Sequence, residues 1–385
     1  MELPQIAFTR PYRSSNELAN LELVVKSGHM HGDGPFTESA NNRLKAVSGA
    51  DQSLLTTSCT HALEMASLLL DLEPGDEVVM PSFTFPSAAT AIANYGVVPV
   101  FVDIELLSGN VSPAAIEAAI TPRTRAISIV HYGGVGADMD AIGAIAARNG
   151  LPIIEDNAHA LGAKWRGRNL GTIGTVGTQS FHDTKNIHSG EGGALLVNDA
   201  NLFERAEVIR EKGTNRSLFL RGQVDKYTWT DKGSSYLMSE LNAAVLDSQL
   251  AEFDVIQGMR HAVWDTYATE LVTWASQVGA QLMSPPAHSE HPAHVFYVLM
   301  ASHEGQMGLL AHLRALNITA TFHYVPLHSS TAGMRFGRTP HGCDVSEDFS
   351  RRMVRLPLWA GMPADFVSRV VGGVLSYGPG DRVTA

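Results

Sequence analysis

Cysteine is almost missing: Cys59 and Cys343 are the only two in 385 residues. Two thiols cannot build a disulfide framework, and the count fits a reducing, cytoplasmic setting. The N-terminus shows no basic-then-apolar leader pattern, and the longest apolar runs are far too short to span a bilayer. Positive charge is also scarce. Lys and Arg total 28 against 39 Asp and Glu, a net charge of −11, which argues against a broad surface for nucleic acid. There is no Gly-x-x-x-x-Gly-Lys-[Ser/Thr] and no strand-flanked Gly-x-Gly-x-x-Gly, so nucleotide hydrolysis and nicotinamide binding have no support. Repeats and low-complexity tracts are missing too. His288, His291 and His294 recur every three residues, but Pro285, Pro286 and Pro292 interrupt the segment, and no metal site is expected there.

What the chain does contain is alternation. Ser53–Thr56, Val78–Pro81, Val97–Asp103, Arg125–Val130 and Ile153–Asp156 read as strands. Between them, His61–Leu70, a stretch through Ala93, Pro113–Ile120 and Met139–Asn149 read as helices. This pattern predicts an α/β fold whose mostly parallel sheet is covered on both faces, with any ligand beyond the carboxyl ends of the strands. Residues 201–216 read as a charged helix, and 240–268 as one or two long helices leading to a second, α+β unit. The expected division is a large domain over 1–250 and a smaller C-terminal domain over 251–385.

One stretch organises the chemistry. Ser180-Phe181-His182-Asp183-Thr184-Lys185-Asn186 puts a lysine in a short polar segment, before a glycine-rich turn and the apolar strand Leu195-Leu196-Val197. A lysine between apolar strands is costly unless exposed, paired or covalently used. Upstream, Ile153-Ile154-Glu155-Asp156 ends an apolar strand in carboxylates. Together they read as a Schiff-base lysine and an aspartate for a pyridinium nitrogen, the pair a pyridoxal phosphate enzyme needs. Thr57-Ser58-Cys59-Thr60, at a strand-to-helix turn, is either a helix cap or an anion site where free N–H groups hold a phosphate. Phe85 is either core or a cover for a flat ring. Arg216, Arg221 and Lys226 lie in a segment that is either solvated loop or a binder of an anionic substrate or a partner subunit.

Longer motifs carry a resemblance. Gly-Asp-Gly-Pro-Phe-Thr at 32–37, Pro-Gly-Asp-Glu-Val at 74–78, Pro-Ser-Phe-Thr-Phe at 81–85, Glu-Asp-Asn-Ala-His at 155–159 and Ser-Phe-His-Asp-Thr-Lys-Asn at 180–186 resemble the DegT/DnrJ/EryC1/StrS sugar aminotransferases of pyridoxal-phosphate fold type I. The runs at 211–217, 221–229 and 233–238 look like the branch that forms dTDP-4-amino-4,6-dideoxygalactose. The resemblance implies a large domain with a seven-stranded, mostly parallel sheet plus the smaller α+β domain. It also implies pyridoxal 5'-phosphate as cofactor, and L-glutamate and a dTDP-4-keto-6-deoxy sugar as substrates, joined at C4. It further implies a cytoplasmic homodimer with shared active sites.

Roles follow residue by residue. Lys185 would hold the cofactor and move the proton, and Asp156 would face the ring nitrogen. Phe85 would stack on the ring, with His159 beside it. Ser58, Cys59, Thr60 and Ser180 match the phosphate cradle. Relatives often send an Asn and an Arg of a Gly-x-Asn-x-Arg motif to the neighbouring subunit's phosphate. The matching positions here are Gly233, Ser235 and Leu237, so Ser235 can still donate while Leu237 cannot replace the arginine. Arg216, Arg221, Lys226, His323, Tyr324 and His328 are the substrate candidates. Two other classes stay open: a nucleotide-sugar dehydratase, which resembles this family with histidine at the lysine position, and a non-catalytic binding protein.

Overall fold

Segments such as Val78-Val79-Met80 and Ala126–Val130 are apolar on both faces, so they are stable only where both faces of a sheet are covered. The computed structural model, which describes residues 4–378, puts them near the centre of a seven-stranded sheet. Its strands are β1 (Gln52–Thr56), β2 (Glu77–Pro81), β3 (Val98–Val102), β4 (Thr124–Val130), β5 (Ile153–Asp156), β6 (Val176–Ser180) and β7 (Gly193–Val197), in the order β1-β7-β6-β5-β4-β2-β3. All neighbours from β6 to β3 pair in parallel, whereas β7 runs antiparallel to both β1 and β6.

The helices before and around this sheet are α1 (Glu17–Ser27), α2 (Pro35–Ser48), α3 (Cys59–Leu69), α4 (Pro86–Ala93), α5 (Pro113–Ala119), α6 (Met139–Asn149) and α7 (Phe203–Arg210). Side chains alternate across a strand, and the two cores follow that alternation. Val78 and Met80 pack with Met65, Leu69 and Ile92 on the α3–α4 side. Val79, Ile127 and Ile129 pack with Ile116 and Ile142 on the α5–α6 side.

After α8 (Arg216–Leu220), helices α9 (Glu240–Ala251) and α10 (Phe253–Glu270) lead into the C-terminal layer. There β8 (Gln281–Leu282), β9 (Tyr297–Leu299) and β10 (Met353–Arg355) form an antiparallel sheet. It packs with α11 (Val272–Val278), α12 (His303–Ala315), α14 (Asp344–Arg352) and α15 (Ala364–Leu375), whereas α13 (Thr331–Phe336) lies against β3. Tyr267, Phe296, Val298, Leu309, Phe349 and Val370 make its core. Three pairings cross residue 250: Ile6 bridges to Ile318, Val100 bridges to Arg338, and Ser289–Glu290 pairs with Lys164–Trp165.

Three elements depart from the sequence reading. Helix α2 was not expected. Pro35 occupies its first turn, where a missing N–H costs nothing. Its other early N–H groups meet the buried Glu240 carboxylate, which accepts from Gly34 at 3.1 Å and from Phe36 and Thr37 at 2.8 Å. This cap comes from a residue some two hundred positions away, so no local signal marks it. Strand β6 was also unforeseen, because Val-Gly-Thr-Gln-Ser has little apolar content. Five residues of the supposedly irregular 215–229 segment form α8.

Glu77 opens β2 and is 1% exposed. Its carboxylate takes Arg123 (2.7 Å), Arg338 (2.7 Å) and the Thr121 hydroxyl (2.6 Å). Burial alone would raise its pKa, but these partners outweigh it and hold the carboxyl at about 2, below its usual 4.5. A depressed carboxyl stabilises the fold above its unfolded pKa, and this contribution is lost as pH falls from about 4.5 through about 2. Replacing Arg338 with Met is expected to cost about 1.5–3 kcal/mol at pH 7. It should also move the acid-unfolding midpoint to higher pH. Denaturant melts across pH 2–7 that show the same midpoint for both proteins would refute this.

Candidate active site

Two adjacent carboxylates end β5, and the strand period sends them to opposite faces. Glu155 is fully buried on one face, where it pairs with His131 at 2.8 Å and accepts N–H groups from Gly171 (2.8 Å), Ile173 (2.7 Å) and Gly174. Burial would raise its pKa. The His131 hydrogen bond and the backbone donors outweigh burial, and the carboxyl stays below the usual range. Asp156 faces a cavity of about 720 Å³ instead. It accepts one hydrogen bond, from Ala158 N–H at 3.1 Å. Burial pushes its pKa up, while that bond and the charges of Lys185 and His131 pull it partly back. A buried carboxylate with one donor has room for another.

Lys185 lines the same cavity, carried there by the turn between β6 and β7. Burial lowers its pKa. Asp156 and Cys59 work against that, and the positive charge of Arg355 adds to it. The amine is therefore shifted toward its neutral, nucleophilic form.

Helix α3 begins at the cavity wall. Ser58 is its N-cap, and its hydroxyl accepts His61 N–H at 3.1 Å. Among the described residues the N–H groups of Cys59 and Thr60 have no acceptor. Gly193 of β7 lies directly behind this turn, where a Cβ would come within 2.3–2.5 Å of Ser58 C and O and of Cys59 N. Nothing larger than glycine lets the turn sit there. The Thr60 hydroxyl is held by Ser87 at 2.7 Å, and the Cys59 sulfur lies 3.6 Å from the Thr178 hydroxyl. Ser180, at the end of β6, also lines the cavity.

The remaining wall is aromatic. Phe85, the residue before α4, is 55% exposed although it borders a deep cavity, and Tyr324 tilts against it at 6.1 Å. His159 stacks on His294 at 4.4 Å. Its Nδ1 accepts Gly133 N–H at 3.3 Å, so Nε2 carries the proton and donates to the Tyr324 hydroxyl at 3.1 Å. Burial, then the charges of Lys185 and Arg355, hold this ring neutral. His323 is held by Tyr132 at 2.7 Å.

These parts suit pyridoxal phosphate. A helix start with free N–H groups suits a phosphate, an under-satisfied buried carboxylate suits a ring N–H, an open phenyl face suits a flat ring, and the lysine suits its carbonyl.

The cavity thus brings together Lys185, Asp156, Ser58, Cys59, Thr60, Phe85, His159, Ser180, His323 and Tyr324. Five candidates lie elsewhere. Ser235 bridges to Glu211. Arg216 pairs with Glu211 at 3.3 Å, and Arg221 clamps Glu207 at 2.7 and 2.8 Å. Those two cations are therefore already balanced within the chain. Lys226 is exposed. His328 bonds Ser82 at 2.7 Å and pairs with Glu347 at 3.3 Å. The three-spaced histidines also part company, with His288 against Trp165, His291 against Trp264 and His294 on His159.

Sequence reasoning missed Asn186, His294, Arg260 and Arg355. Asn186, next to Lys185, donates to Pro292 O at 2.7 Å and meets His294 Nδ1 at 2.8 Å. Arg260 holds the carbonyls of Ala293 (3.1 Å) and His294 (2.7 Å), fixing a turn in which Ala293 has φ 48°. That positive φ is strained for alanine. The Asn following the lysine was the one available local signal.

Comparison with known proteins bears on family and fold. The model of the DegT/DnrJ/EryC1/StrS aminotransferase family matches residues 11–375. The spore coat polysaccharide biosynthesis protein SpsC of Bacillus subtilis (strain 168) is 31% identical over 379 residues, 96% of each chain. Among solved structures, S. venezuelae DesV in complex with a ketimine intermediate is 31% identical, with a TM-score of 0.87 over 97% of this chain and 98% of that one. The aminotransferase TlmJ from Streptoalloteichus hindustanus is 28% identical, with a TM-score of 0.88 over the same shares.

Gly193→Ala tests the phosphate assignment without touching a reacting group. Displacing the Ser58–Cys59 turn should cost at least one charge-assisted hydrogen bond, about 1.5–3 kcal/mol, or roughly ten- to a hundredfold in pyridoxal phosphate affinity. Fluorescence titration with the cofactor measures it. Unchanged affinity in a folded variant would place the phosphate elsewhere.

Proposed function

The chain belongs to the DegT/DnrJ/EryC1/StrS aminotransferase family, whose members depend on pyridoxal phosphate, and on that footing we propose that it moves the amino group of L-glutamate to C4 of a dTDP-4-keto-6-deoxyhexose. The product would be a dTDP-4-amino-4,6-dideoxyhexose for antibiotic or cell-surface sugars. The observation that carries the reading is the cavity where Lys185, Asp156 and the start of α3 meet at the carboxyl edge of the sheet. A lysine at position 185, where the dehydratases resembling this family have histidine, favours amino transfer.

Pyridoxal phosphate, when bound, supplies a carbonyl that carries the amino group between substrates and a ring that spreads carbanion charge. The protein's groups do the rest. Lys185, kept toward neutrality by burial, takes up and gives back one proton at Nζ in each half of the cycle. Asp156 presents its carboxylate to a ring N–H, and low local dielectric strengthens that pair. The Cys59 and Thr60 N–H groups, with Ser58 and Ser180, hold the phosphate, so a single amine can serve both halves. Phe85 would cover one ring face, and neutral His159 lines the site with its Nε2–H donated to the Tyr324 hydroxyl.

Support for the C4 branch and the dTDP group comes from the sequence runs at 211–217, 221–229 and 233–238. The SpsC relative's role in a coat polysaccharide fits such a product. The decisive experiment supplies glutamate and dTDP-4-keto-6-deoxyglucose and determines the configuration of the amino sugar. A 4-amino-4,6-dideoxy product is expected, with kcat/KM falling sharply for the sugar phosphate lacking the nucleoside. Equal kcat/KM for the two would mean that the nucleotide is not read.

The same reading includes a homodimer with shared sites. Leu18, Leu23 and Val25 on α1 and Leu220, Tyr227 and Trp229 around α8 are all more than half exposed, which suits a covered surface. Ser235, Lys226 and their segment would then reach the neighbouring subunit's site. Mixing inactive Lys185→Ala chains with Ser235→Trp chains should restore activity through the one site built from two sound halves. No recovery under conditions proven to exchange subunits would sink the shared-site claim.

A further inference from the structure

His294 lines the cavity together with Lys185, and the proton and phosphate chemistry leaves it unused. Its ring lies on His159, with 4.4 Å between centroids and 27° between planes. Arg260 holds its backbone carbonyl at 2.7 Å. Its Nδ1 meets Asn186 Oδ1 at 2.8 Å. The sense of that bond follows from the other side of the Asn186 amide. There the amide lies 2.7 Å from the Pro292 carbonyl oxygen, which can only accept, so the atom facing Pro292 is the NH2 nitrogen. Gln257 Oε1 takes the second hydrogen at 3.0 Å. The amide oxygen therefore faces His294. It too can only accept, so His294 Nδ1 carries a proton. Burial, first of all, then His159 and the charges of Lys185 and Arg260, hold the ring neutral. A neutral imidazole has one N–H, so Nε2 is bare. Among the described residues no group donates to it.

A bare ring nitrogen in a cavity wall calls for a partner with a hydrogen to give. The cofactor brings one ring N–H, which Asp156 takes, and otherwise oxygens that accept. Glutamate brings two carboxylates, both of which only accept at neutral pH, and an amino nitrogen committed to the transfer itself. Lys185 has hydrogens to give, but in both halves of the cycle alike. The keto sugar is the substrate that brings hydroxyl groups. The hydroxyl on the carbon next to the reacting carbonyl, C3 in the C4 reading, is carried with that carbonyl to the side of Lys185. We propose that His294, its tautomer fixed by Asn186, accepts a hydrogen bond at Nε2 from the sugar hydroxyl beside the reacting carbonyl. This rests on the sugar aminotransferase reading and deepens it, making His294 a specificity residue for the acceptor and Asn186 a positioning residue that acts through it. Asn186 follows Lys185 directly in the chain, so the amine and the ring that reads the hydroxyl are set by one turn.

The test crosses a variant with an altered substrate. Consumption of the keto sugar by the aminated enzyme is measured for the unaltered protein and for His294→Phe, which keeps a flat ring on His159 and removes the acceptor. Each meets the dTDP-4-keto-6-deoxy sugar and its analogue lacking the C3 hydroxyl. His294→Phe is expected to lower kcat/KM for the hydroxylated sugar by roughly tenfold, the worth of one hydrogen bond, and to cost the deoxy analogue far less. The glutamate half-reaction, read from the cofactor's absorbance, should fall less than the sugar half and shows that the variant folds. Removing the hydroxyl from the substrate alone should cost the unaltered enzyme a similar factor, a comparison that needs no variant. Nitrogen-15 NMR of the histidine-labelled holoenzyme gives a readout apart from turnover: the signals missing in His294→Phe should belong to an Nδ1–H ring with Nε2 unprotonated. An Nε2–H ring overturns the proposal. So does an equal loss with both sugars, an equal loss in both half-reactions, or no loss with the hydroxylated sugar. If the unaltered enzyme leaves the C4 keto sugar unaminated, the substrate reading fails instead, and the same cross on the keto sugar it does accept, with the hydroxyl beside that carbonyl removed, decides the role of His294.

Discussion

The site depends on how β5 ends. Two carboxylates in succession cannot both face one side of a strand. Glu155 is turned inward, where His131 and three backbone N–H groups satisfy it. Those donors come from the 171–174 loop that enters β6, so one buried carboxylate ties the end of β4, the end of β5 and the approach to β6. Asp156 is thereby fixed on the opposite face with a single donor. The next strand in the sheet, β6, leads straight into the turn that carries Lys185. The chemical pair is a consequence of strand period and strand order.

The electrostatics follow from burial rather than from net charge. The chain as a whole is acidic, yet the cavity gathers Lys185, Arg355, Arg260 and, deepest, His159, His294 and His323. Burial shifts each cationic group toward neutrality. The stacked rings of His159, His294 and His323 form a neutral wall whose orientation is set by hydrogen bonds to Gly133, Asn186 and Tyr132.

Much of the sheet was legible because its strands are short, apolar and separated by helical stretches of ordinary length. Ser58, Asp156 and Lys185 were legible for a related reason: each falls at a strand end, where an α/β fold must place its ligand. Strand β6 was not, since a strand buried by its neighbours does not have to be apolar itself. The pairing of the cations of 216–226 was not legible either. Clustered in sequence, two of them are neutralised by Glu207 and Glu211 once the chain folds.

Sequence alone marked the class of fold, a lysine and an aspartate beside strand ends, and a hydroxyl-rich turn at the start of a helix, because each is encoded in contiguous residues and obeys local rules of period and capping. Tertiary structure alone decided what surrounds them. Glu240 caps α2, Arg260 fixes the turn at Ala293, and Arg355 reaches the wall beside Lys185. Each of these contacts joins positions far apart in the chain, and hydrogen bonds and charge act over ångströms in space, whatever the separation in sequence.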